Sequence, residues 1–70
     1  MNMLEVKEAV EKVETEREAR MTIEKILCAI EAGYCCRLGR DNYLNQAQKL
    51  VEQFPALETT YNPILKAYRE

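Results

Sequence analysis

Apolar residues fall at Met3, Val6, Val10 and Val13, a 3-4-3 spacing that predicts a helical stripe of the a/d type. Asn2-Met3-Leu4-Glu5 reads as a capping box that opens this helix. The stripe lapses over residues 14–20, where Arg17 and Arg20 take positions that should be apolar. It resumes at Ile23, Leu27, Ile30, Tyr34 and Leu38, with Ile26 widening it.

Two readings cover the lapse. In the first, one helix runs over residues 3–38 and is about 54 Å long at about 1.5 Å per residue. No Gly, Pro or Asn interrupts residues 3–32, which favours continuity. Glu8–Lys12 and Glu16–Arg20 at i,i+4 would support it as ion pairs. In the second, Thr15-Glu16-Arg17-Glu18 is another capping box and a new helix starts there. Residues 3–14 then fold back, giving a monomeric bundle of three or four helices. A helix end near Gly33 is a further alternative, because Gly inside a helix costs about 1 kcal/mol against Ala.

Gly39-Arg40-Asp41-Asn42 reads as the clearest turn, with Gly39 at C′ and Asp41 as the next N-cap. A helix over residues 42–54 follows, with Tyr43, Leu44, Ala47, Leu50, Val51 and Phe54 on its apolar face. Pro55 ends it. Asn62-Pro63 reads as an N-cap and N1 pair opening a short helix over residues 63–69 that presents Ile64, Leu65 and Tyr68.

The predicted fold is therefore a single all-α domain: a long N-terminal helix, a second helix and a short C-terminal helix in a hairpin or bundle that dimerises. Dimerisation follows from a length mismatch. The helix over residues 42–54 is about 20 Å long and cannot cover one of about 54 Å. An exposed apolar stripe of that length marks an interaction surface. Met3, Val6, Val10, Val13, Ile23, Leu27 and Ile30 are the candidate self-association residues, in a coiled-coil-like homodimer.

Composition fits this picture. Ala, Glu, Lys, Leu and Arg make up 35 of the 70 residues, which points to long helices. Gly and Pro number 2 each, too few for the turns of a sandwich or barrel. A core this small rarely supplies more than about 3–5 kcal/mol, so extra burial is expected. No apolar run is long enough to span a membrane, and the opening residues lack a basic and an apolar signal region. The expected location is cytoplasmic.

Candidate chemistry is sparse. The chain holds no His and no Ser, and no phosphate loop or dinucleotide fingerprint is present. An enzyme is not expected, nor is a cofactor. Cys28, Cys35 and Cys36 lack a fourth metal ligand and Cys-x-x-Cys spacing, so they read as small buried hydrophobes.

Polar and aromatic side chains crowd the junction of the two main helices: Tyr34, Arg37, Arg40, Asn42, Tyr43, Asn45, Gln46, Gln48 and Lys49. Tyr and Arg are enriched at protein–protein hot spots, so Tyr34, Arg37, Arg40 and Tyr43 are the candidate partner-binding face. The expected function is a small adaptor, regulator or inhibitor that acts by binding a larger protein. One alternative is a DNA-binding regulator of helix-turn-helix type using the Arg37–Lys49 region. It is disfavoured because the net charge is −2 and residues 34–50 carry too little positive charge for phosphate. Another is a helical oligomer that sequesters a nucleotide or another anion at the same junction.

Overall fold

The computed structural model describes residues 2–33 and 37–70. The described residues form four α-helices: α1 Met3–Glu11, α2 Glu16–Glu31, α3 Arg37–Gln53 and α4 Glu58–Arg69. No strand occurs among the described residues. No helix among them is long and apolar enough to cross a membrane.

The continuous helix over residues 3–38 is not formed. The Cα trace is 29 Å in its longest dimension, about half of what such a helix needs. Asn2 caps α1 as expected, its Oδ1 accepting from the Glu5 N–H at 2.9 Å. α1 then stops at Glu11 with Lys12 as its C-cap. Thr15 opens α2: its Oγ1 accepts from the Glu18 N–H at 3.1 Å and donates to Glu18 Oε1 at 3.1 Å. The Thr15 cap thus stands where the helix propensity of residues 12–15 would have carried α1 onward. The reason is tertiary. Breaking the helix lets Val6 and Val13 join Ala19 and Ile23 in one core. Of the two expected ion pairs, Glu16–Arg20 forms at 3.7 Å, and Glu8–Lys12 is not among the ion pairs of the described residues.

The turn expected at residues 39–41 is also displaced. α3 runs through Gly39, Arg40 and Asp41 without a break. α2 ends at Glu31 with Ala32 as C-cap, and Gly33 takes the left-handed conformation at φ 77°. Either glycine satisfies the local C′ rule, and the left-handed position goes to Gly33. The helix expected over residues 42–54 therefore starts at Arg37 and ends at Gln53.

The last helix begins earlier than residue 63. A 3-10 turn at Pro55–Leu57 leads directly into α4, and Pro63 lies inside that helix. Leu57, Tyr61 and Leu65, spaced four residues apart, form a buried stripe. Their burial outweighs the cost of the Pro. Asn62 is not an N-cap; its Oδ1 accepts from Gln48 Nε2 at 3.4 Å.

α3 is the hub, packed by α1, α2, α4 and the 3-10 turn. Its Tyr43, Leu44, Ala47, Leu50 and Val51 are buried, as the periodicity predicts, and Phe54 is half-buried. They meet Val6 of α1, Ile23, Ile26 and Leu27 of α2, and Tyr61 and Leu65 of α4 in a single cluster. The stripe residues Val6, Val13, Ile23 and Leu27 are buried in this cluster, and Met3, Val10 and Ile30 pack against it half-buried. Four of the seven candidate self-association residues are thus inside one chain and the other three lie at its edge, so the length mismatch that called for a dimer is removed.

Candidate functional site

α1 crosses α3 so that Met3 and Lys7 stand beside Asn42, Asn45, Gln46 and Lys49. Between them lies an open cleft of about 290 Å³. Met3 and Lys7 are i,i+4 on α1; Asn42, Asn45, Gln46 and Lys49 follow 3-1-3 steps along α3. Each set therefore shares one helix face. The cleft wall comprises two ammonium groups, three carboxamides and one thioether, with no carboxylate.

Gln46 sets the character of this cleft. It is only 8% exposed, in the register of a core residue, between Tyr43 at i−3 and Leu50 at i+4. Its side chain makes no hydrogen bond among the described residues. A buried amide normally finds partners within the protein. The Gln46 amide instead faces the cleft that it lines.

Lys7 and Lys49 are exposed and form no ion pair, the one pair among the described residues being Arg20–Glu16. Lys7 precedes Glu11 at i,i+4, the weaker of the two orientations for a helical pair. Asn45 is partly committed: Arg69 Nη2 of α4 donates to its Oδ1 at 3.0 Å. With the oxygen held by a guanidinium, the Asn45 amide nitrogen is oriented as a donor. Arg69 therefore brings a third cation close to the cleft.

The opposite side, where α2 faces α4, is closed by two phenol–carboxylate bonds. Tyr61 donates to Glu24 Oε1 at 2.7 Å, and Tyr68 donates to Glu31 Oε1. Both pairs repeat at a seven-residue interval, so one turn geometry serves both. Burial, then the Glu24 bond, pushes the Tyr61 phenol up to about 12. The Glu31 bond, then burial, pushes Tyr68 up to about 12 as well.

The sequence-predicted partner face is not assembled as expected. Tyr43 is buried at 4% exposure and serves the core. Arg40 is half-buried, and its Nε is buried with no hydrogen-bond partner among the described residues. Arg37 opens α3, and its side chain lies outside the described ones; Tyr34 lies outside the described residues altogether, as do Cys35 and Cys36. Cys28 is exposed, not buried, because it faces away from the α2 core positions Ile26 and Leu27.

Four of the nine crowded junction residues do converge: Asn42, Asn45, Gln46 and Lys49. Sequence reasoning missed Lys7 and Met3, which reach the cleft only because α1 folds back. The available signal was Gln46 itself, a polar residue at a core register.

No known protein family, curated protein or solved structure matches the chain.

Proposed function

We propose that this chain is a non-enzymatic interaction module, a small adaptor, regulator or inhibitor that binds a larger protein through the α1–α3 cleft. The observation that carries the reading is Gln46. Its side chain is largely buried, yet its amide makes no hydrogen bond among the described residues and stays open at the cleft wall. A polar group presented in this way at a core register is available to another molecule. The free Lys7 and Lys49 ammonium groups on the same cleft support the same reading.

Side-by-side affinity capture from host lysate tests it. The baits are the tagged chain, its Lys7→Glu/Lys49→Glu variant, and an Arg17→Glu control on the exposed face of α2. The expected result is a protein retained by the parent and the control and lost by the double variant. A partner retained equally by all three baits would place the contact elsewhere.

A second reading keeps the cleft and changes the ligand: a nucleotide or other small anion held by the two lysines. A gain in melting temperature across a nucleotide panel would favour it. The helix-turn-helix alternative has less support. Its reading helix would be α3, which four other elements enclose. Self-association through Met3, Val6, Val10, Val13, Ile23, Leu27 and Ile30 forms no part of the proposal, since those side chains belong to the core of one chain.

A further inference from the structure

We infer that the cleft is built for an acidic peptide segment, with Gln46 reading the peptide main chain and Lys7 and Lys49 its carboxylates. This inference rests on the interaction-module reading and names the chemistry of the partner.

Three observations carry it. First, the wall of the cleft carries two cations and no anion. Second, the carboxamides of Asn42 and Gln46 each offer an N–H donor and a C=O acceptor, and Asn45, its oxygen held by Arg69, offers N–H donors. That combination matches a peptide main chain, which alternates N–H and C=O. A phosphodiester backbone offers acceptors alone and would leave the amide oxygens unmatched. Third, Gln46 is more than nine-tenths buried and its amide is unpartnered at the cleft wall. A ligand seated in the cleft can pair with both ends of this amide in place of water.

Charge distribution agrees. The whole chain is at −2, which disfavours long-range attraction of a polyphosphate. The local wall is cationic all the same. Arg69 adds to it by holding Asn45 Oδ1, which turns the Asn45 nitrogen toward the donor role. Asp41 and Glu52 of α3 are exposed but are not part of the cleft wall. Met3 supplies an adaptable apolar surface for the methylenes of a Glu side chain.

The test is a nuclear magnetic resonance titration of the intact chain with an N-acetylated hexaglutamate peptide. A hexaglutamine peptide and a short DNA duplex serve as comparisons. Hexaglutamate should shift the side-chain amide signals of Asn42, Asn45 and Gln46. Affinity should fall at least about tenfold in Lys7→Gln/Lys49→Gln and in Gln46→Met, each tenfold corresponding to about 1.4 kcal/mol. The lysines are exposed, so the double variant keeps the fold, and Gln46→Met tests the main-chain contact separately.

Shifts confined to Arg17, Arg20 and Lys25, equal affinity in the double variant, no shift at millimolar peptide, or tighter binding of the duplex would each overturn the inference. Loss of host-protein capture by the cleft variant, with no hexaglutamate binding, would sink the acidic-segment inference alone. Hexaglutamate binding at the cleft, with capture unaffected by the cleft variant, would sink the interaction-module reading alone.

Discussion

The two flanks of α3 spend their polar groups differently. Toward α2 and α4, Tyr61 and Tyr68 donate to Glu24 and Glu31, and each phenol sits over buried aliphatic side chains. Toward α1, Gln46, Lys7 and Lys49 make no hydrogen bond or ion pair among the described residues. Both flanks use the same hub helix and the same core. One flank is a staple that closes the fold. The other is a surface on which hydrogen-bonding capacity is kept open.

Removing what the flanks share gives the largest effect. Leu44→Ala empties a fully buried site on α3 and should cost about 2–5 kcal/mol. That approaches the whole stability of a domain this size, so urea unfolding should show a chain largely unfolded in buffer. A small shift in midpoint would mean that α3 is not the common core.

Breaking the staple comes next. Tyr61→Phe should cost about 1–2 kcal/mol, because a carboxylate bond to a buried phenol is lost. Tyr68→Phe should cost less than about 1 kcal/mol, since its bond is exposed. The same pairs set an alkaline limit. Both phenols are raised in the folded chain to about 12, against 10 in the unfolded chain. A raised pKa means their stabilisation is complete below pH 10 and is lost as pH rises through 12. Urea midpoints measured from pH 9 to 12 should fall steeply for the parent. They should fall less for Tyr61→Phe/Tyr68→Phe, and parallel curves would refute the role of the pairs.

The hinge that lets α1 fold back gives a smaller effect. Thr15→Ala removes the α2 cap and should cost about 1 kcal/mol by thermal or urea unfolding. An unchanged midpoint would show that the break at residues 12–15 does not depend on the cap.

Much of the fold was legible from periodicity. The all-helical class and the buried face of α3 follow from 3.6-residue spacing, and the Asn2 cap follows from its capping box. What was not legible turned on choices between equivalent local signals. Gly33 and Gly39 satisfy the same C′ rule, and the left-handed conformation falls to Gly33 while Gly39 lies within α3. Residues 3–32 lack a breaker, yet the helix breaks because one core accommodates Val6, Val13 and Ile23 and a straight helix does not. Pro63 shows the same ordering, with the Leu57, Tyr61 and Leu65 stripe overriding a local stop signal. Val6, Val13, Ile23 and Leu27, assigned to self-association, are buried within one chain for this reason. An apolar stripe specifies burial but not what buries it.

The site was half legible. Residue type drew attention to Asn42, Asn45, Gln46 and Lys49, but Lys7 is distant in sequence and nothing local links it to them. Tyr43 and Arg40 were read as surface groups by residue type, while helical register assigns Tyr43 to the core. Register was the better guide in both directions. It buries Tyr43, and it marks Gln46 as the polar residue out of place.

The most direct test is the urea midpoint of Gln46→Met beside that of Tyr61→Phe. If Gln46 is held open for a ligand, replacing it with an apolar side chain of similar size leaves the midpoint unchanged or raises it, by up to about 1 kcal/mol in stability, while Tyr61→Phe lowers it. If both midpoints fall by a similar amount, Gln46 is a structural group like Tyr61, and the contrast between the two flanks of α3 is wrong.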